Sequence, residues 1–195
     1  MAFVVFLAAC SEETPRLAPL TEDAVVLAFG DSLTAGYGAP QGQGYPQVLE
    51  DMIGRRVVAS GVPGEVSASG RARFASVLDR VRPSLVVLCH GGNDFLRRLD
   101  ESQLTENLRA MVEDAETRGI PVVLIGVPRP GLLISEGAEV YRRIAEEFGL
   151  PYEAEALADI LKQQKLKADV IHPNAAGYRR LAEAVAALLR ASGAI

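Results

Sequence analysis

Five short apolar runs, each separated from the next by a stretch of helical period, constrain this chain more than any other feature. They fall at 25–30, 56–60, 84–90, 121–127 and, more weakly, 151–153. Continuous hydrophobicity of that length suits strands buried on both faces, as in a parallel sheet. Between the runs, Tyr45, Val48, Leu49, Met52 and Ile53 recur at helical spacing, with Pro46 suited to a first turn and Gly54 to a stop. Phe74, Val77, Leu78 and Val81 repeat the pattern before Pro83, and Leu104, Leu108, Met111, Val112 and Ala115 before Gly119. Val140, Ile144 and Phe148 mark a further helix, and Leu181, Val185, Leu188 and Leu189 the last. The alternation predicts an α/β domain with a single doubly wound sheet of five mostly parallel strands and helices on both faces. Ligands of such sheets bind beyond the carboxyl ends of the strands, so the loops there should carry the function.

With 195 residues the chain has room for one such domain, of the flavodoxin-like type, and no second module. A net charge of −5 and the lack of any Lys or Arg run argue against a nucleic-acid partner, which requires basic side chains to neutralise phosphates. The N-terminus stands apart. Met1 to Ala9 is an unbroken apolar stretch, too short to span a bilayer, and a polar, proline-containing segment follows Cys10. Leu7-Ala8-Ala9-Cys10 resembles the lipobox of bacterial lipoproteins, cut before a cysteine that is then lipidated, although the basic region that precedes such signals is missing. A plain secretory signal or an apolar tail are the alternatives. Residues 1–20 are therefore expected to be signal and tail, and 21–195 the domain. The expected location is the periplasm or cell envelope, with a membrane tether where Cys10 is lipidated. Cys89, set among Leu85, Val86, Val87 and Leu88, reads as a buried small hydrophobe.

The first run leads into Gly30-Asp31-Ser32-Leu33-Thr34-Ala35-Gly36-Tyr37-Gly38, which puts a hydroxyl in a sharp turn at a strand's carboxyl end. A glycine-rich loop there can also hold phosphate. However, Gly36-x-Gly38 lacks a third glycine three residues on, and no G-x-x-x-x-G-K-[ST] run occurs. Ser32 is the better candidate for a nucleophile, and a serine needs a base oriented by a third group. The chain has two histidines. His172 follows Asp169 by three residues, a spacing that lets the carboxylate take one ring nitrogen while the other faces the serine. His90 closes an apolar strand with no carboxylate at comparable spacing before it, and reads as a structural side chain held by a local hydrogen bond. Gly64, Asn93 and the Ser32 backbone N–H offer donors for an oxyanion. Asp31 is expected to tie down the serine turn through the backbone.

Gly30-Asp31-Ser32-Leu33, Gly64, Gly91-Gly92-Asn93-Asp94 and Asp169-x-x-His172, in that order, resemble the four blocks of the SGNH (GDSL) hydrolase family. Within it the chain looks most like the periplasmic thioesterase I, lysophospholipase and arylesterase group. The resemblance implies an ester or thioester hydrolase that forms an acyl-enzyme and needs neither cofactor nor metal. Its implied roles are Ser32 as nucleophile, His172 as base then acid, Asp169 as orienter, and Ser32, Gly64 and Asn93 as oxyanion donors. The implied substrate is a small acyl ester, thioester or lysolipid, with Phe95–Asp100 touching the acyl chain. A carbohydrate O-deacetylase of the envelope would use the same chemistry. Two departures stand out: Val57-Val58-Ala59-Ser60 lacks the asparagine usual in the second block, and the region 129–137 is short.

Overall fold

A computed structural model of the protein describes residues 14–131 and 137–195. Cys10 with the apolar stretch before it, and residues 132–136 of the short region, lie outside the described residues. Among those described, β1 (Val25–Gly30), β2 (Arg56–Gly61), β3 (Leu85–Cys89), β4 (Val122–Ile125) and β5 (Tyr152–Glu153) form one sheet in the order β2-β1-β3-β4-β5. Every pairing is parallel, as the apolar runs predict. β1 lies between β2 and β3, with Val26 opposite Val57 on one side and Leu85 on the other. Val26–Phe29 and all of β3 are fully shielded from solvent, so these two strands are the floor of the core.

The helices are α1 (Ser32–Ala35), α2 (Tyr45–Ile53), α3 (Ser67–Val81), α4 (Gly92–Leu96), α5 (Glu101–Glu116), α6 (Glu139–Phe148), α7 (Ala156–Lys162) and α8 (Ala175–Ala191). The strand order reverses at β1, so right-handed crossovers send the connections to opposite faces. Accordingly α2 packs on α8, while α3 packs on α5 and α5 on α6. The reversal also makes the carboxyl ends of β1 and β3 the crevice of the fold.

Differences from the sequence reading are local. The run 84–90 is a strand only to Cys89, and 121–127 only over Val122–Ile125. α4 and α7 were not anticipated, since five and seven residues are too few to display a period. Part of the expected tail is docked: Leu17 and Leu20 donate backbone N–H groups to the carbonyls of Ser192 and Ala194, each at 2.8 Å, and pack against the core.

Candidate active site

Ser32 is the first residue of a short helix that begins as β1 ends. Asp31 caps that helix through Oδ1, which accepts from the Leu33 N–H at 3.1 Å, as the turn-tying role requires. The turn is fixed from behind by Thr34 Oγ1 and Tyr45 Oη, 3.1 Å apart, and by Tyr178 Oη donating to the Tyr37 carbonyl at 2.7 Å. Asp31 is buried; loss of solvent pushes its carboxyl up, against the opposing pull of His90, the Leu33 N–H, His172 and the Gly92 N–H.

His172 lies at the far end of the chain, yet its Nε2 stands 3.0 Å from Ser32 Oγ. Its loop is pinned by Asn174, which caps α8 by accepting from the Gly177 N–H at 3.1 Å and donates to the carbonyls of Lys165 and Lys167. Asp169 Oδ2 is 2.7 Å from His172 Nδ1, while Oδ1 accepts from the backbone N–H groups of Ile171 and His172, both at 2.8 Å. Partial burial alone would raise Asp169, but these hydrogen bonds outweigh it and hold the carboxyl below its ordinary range. A carboxylate on Nδ1 selects the tautomer whose Nε2 lone pair faces the serine. The Tyr37 ring stands against the imidazole with centroids 4.6 Å apart.

Gly64 and Asn93 arrive from the neighbouring loops. Gly64 turns with φ +77°, a conformation strained for any side chain, in the loop leaving β2. Asn93 is in the first turn of α4, and its Nδ2 donates to the Glu65 carbonyl at 3.0 Å and weakly, at 3.4 Å, to Asp31 Oδ2. Asp94 beneath it accepts from Ser67 N and Ser67 Oγ at 2.8 and 2.6 Å, and Asn107 Nδ2 donates to the same hydroxyl. This buried ladder joins α4 to α3 and α5.

Beneath these donors is a cluster the sequence reading missed. Glu65 Oε2 takes Arg73 Nη2 at 2.7 Å and is 3.1 Å from His90 Nε2, and Arg73 Nε donates to Glu65 Oε1 at 2.8 Å. His90 Nδ1 accepts from the Gly91 N–H at 2.9 Å, so Nε2 carries the hydrogen that Glu65 accepts. The local hydrogen bond expected of His90 is present, but its carboxylate partner comes from 25 residues earlier in the chain. Gly70 makes room: a Cβ there would stand 2.3 Å from His90 Nε2. Arg73 also donates to the Ser60 hydroxyl at 2.8 Å and to the carbonyls of Ser60 and Gly30 at 3.1 Å, serving the strand end where the second block lacks its asparagine. The only signal for Glu65 was its place next to Gly64.

Leu33, next to Ser32 in the chain, lines an apolar cleft with Leu96, Val127, Leu157, Leu161 and Ile171. Leu96 lies in the expected acyl-contacting stretch, while α7 supplies two walls that the sequence reading did not foresee. Cys89 is buried beneath the sheet's edge, where burial pushes its thiol well up and leaves it an unreactive packing group.

A serine, an imidazole and a carboxylate in one hydrogen-bonded chain, on the carboxyl edge of a doubly wound sheet and beside an apolar cleft, mark an acyl-transferring hydrolase of α/β architecture. The family model described as "GDSL-like Lipase/Acylhydrolase family" matches residues 28–180. The chain belongs to that family. It is 34% identical over 172 residues to "Esterase TesA" of Pseudomonas aeruginosa, covering 82% of this chain and 85% of that protein. It is 31% identical over 156 residues to "Thioesterase 1/protease 1/lysophospholipase L1" of Escherichia coli K12, covering 76% and 75% respectively. The crystal structure of a TesA superimposes with a TM-score of 0.77 at 31% identity, over 85% of this chain and 98% of that one.

Proposed function

We propose that this protein hydrolyses carboxylic esters or thioesters, with Ser32 as nucleophile, His172 as base and then acid, and Asp169 as orienter. One observation carries the reading: Ser32 Oγ is 3.0 Å from His172 Nε2, and His172 Nδ1 is 2.7 Å from Asp169 Oδ2. As Ser32 Oγ attacks the acyl carbon, its proton passes to Nε2 and the new imidazolium is stabilised by Asp169. The oxyanion that forms is held by the backbone N–H groups of Ser32 and Gly64 and by Asn93 Nδ2. One Asn93 amide hydrogen stays on the Glu65 carbonyl, and the long contact to Asp31 is the one exchanged for the oxyanion. Collapse expels the alcohol or thiol, which takes the proton from Nε2. A water then attacks the acyl-enzyme by the same route in reverse order.

The apolar cleft beside Leu33 favours an acyl chain longer than acetyl over a carbohydrate acetyl group. The apolar N-terminal stretch with Cys10 favours an envelope location, with lipidation of Cys10 as the tether. A p-nitrophenyl ester series from acetate to palmitate, run beside acyl-CoA and lysophospholipid, tests the reading. Activity rising with chain length and abolished by Ser32→Ala is expected, and full turnover in Ser32→Ala would refute it.

A further inference from the structure

We propose that the mouth of this site is built to rest on a lipid surface carrying anionic headgroups. The proposal rests on the hydrolase reading and adds the physical state in which the substrate is met. The large apolar side chains left exposed among the described residues are Tyr37, Val62, Leu96, Leu99 and Val170. Four lie in segments that follow the carboxyl ends of strands, Tyr37 after β1, Val62 after β2, and Leu96 and Leu99 after β3, and Val170 lies in the loop before α8 that carries His172. The outward faces of α2, α3, α5, α6 and α8 contribute none. Exposed apolar groups gathered at one place, rather than scattered, mark a contact surface.

Local contacts join them around the opening. The Tyr37 ring lies against His172, and Leu96 and Val170 edge the apolar cleft. Leu96 and Leu99 also border a second hollow beside it, together with Arg98 and Arg129. Val62 begins the turn whose Gly64 carbonyl accepts from Arg97 Nη2 at 2.7 Å. Leu99 is held out by an unusual backbone: Arg98 takes φ 55° at the end of α4, and the Leu99 N–H bonds to the Asp94 carbonyl at 2.9 Å. In helix ends of this form the residue after the left-handed position usually packs back on the helix. Leu99 instead stays 47% exposed, and Val170 80%.

Charge identifies the partner. The chain as a whole is acidic, at −5. At the mouth Glu101 pairs with Arg129, while Asp100 caps α5 through the Ser102 N–H and Asp169 orients the neutral His172 ring. Arg97 meets only a neutral carbonyl, and the Arg98 side chain has no partner among the described residues. An apolar rim on which Arg97 and Arg98 have no carboxylate partner among the described residues fits an anionic membrane surface. It fits a second copy of this chain poorly, because two-fold pairing would bring the two sets of arginines together. Resting there, the mouth would receive an acyl chain from the bilayer without passing it through water.

The test is co-sedimentation of the full chain, with Cys10→Ser in every arm to remove an acyl anchor, on vesicles of phosphatidylcholine alone or mixed with phosphatidylglycerol. Binding is expected to be stronger on the mixed vesicles and to weaken with salt. Val62→Ser with Leu99→Ser should weaken binding about tenfold on mixed vesicles, and Arg98→Glu by a similar factor on mixed vesicles only. Val62→Ser alone, outside the acyl-contacting stretch, should weaken binding in the same direction and leave hydrolysis of dispersed p-nitrophenyl butyrate unchanged. Equal binding by parent and variants overturns the proposal. So does a dimer in solution that Leu99→Ser dissociates, in a protein with no vesicle affinity. Failure of the parent to hydrolyse the dispersed ester would instead strike the hydrolase reading and leave vesicle binding as an independent result.

Discussion

The backbone carbonyl of Glu65 accepts a hydrogen bond from Asn93 Nδ2 at 3.0 Å. The same residue follows Gly64, so both proposed non-serine oxyanion donors are referred to one residue whose carboxylate is clamped by Arg73 and His90. Glu65→Ala should lower kcat on the order of 10–10², below the 10²–10³ expected when a whole donor is removed by Asn93→Ala. Because Glu65 acts through Asn93, the double variant should cost little more than Asn93→Ala alone. Additive losses in kcat would separate the two residues.

Asp169→Asn keeps the shape of the side chain but turns an acceptor into a donor opposite His172 Nδ1. The ring then loses the tautomer that faces Ser32, and kcat should fall on the order of 10²–10⁴ with KM little changed. In the parent, Asp169 is held below the ordinary carboxylate range. It therefore stays ionised as acid is added, and Asp169 contributes no step of its own to the acid side of the kcat/KM profile. A second acid step in the parent profile would contradict this.

Burial alone would raise Glu65, but the hydrogen bonds from Arg73 and His90 and the Arg73 charge hold it below its ordinary value of 4.5. A depressed carboxylate contributes stability that is complete above the unfolded value and is lost as pH falls through the folded one. The difference in Tm between the parent and Glu65→Gln should accordingly be present near pH 7 and shrink below about pH 4.5. Thermal melts across that range measure it, and a difference that grows on acidification would reverse the sign.

Leu96 is partly exposed at the edge of the apolar cleft, so a larger side chain can be accepted there without repacking the core. Leu96→Trp should shorten the usable cleft, and kcat/KM for octanoate relative to acetate should drop about tenfold or more. An unchanged chain-length profile would mean that the acyl group lies elsewhere.

Much of this architecture could be read in advance, for reasons that differ by element. β1 and β3 are apolar along their whole length because both faces are covered, so their runs survive as a signal. β5 has two residues, α4 five and α7 seven, too short for any period to register. Asp169 and His172 were legible because their contact is local, and the need of Ser32 for a base together with the four-block resemblance implied that Ser32 would meet them. Glu65 and His90 were not legible. Their contact depends on which side chains turn inward beneath two loops, and on the space left by the missing Cβ of Gly70.

Ser32 and the His172 imidazole that meets it are 140 residues apart in the chain, at its first βα connection and in its last loop. On the proposed reading, a chain emerging from the ribosome exposes its serine long before its base exists, and partial products lack turnover. Turnover then reports that the first and last loops of the fold have met.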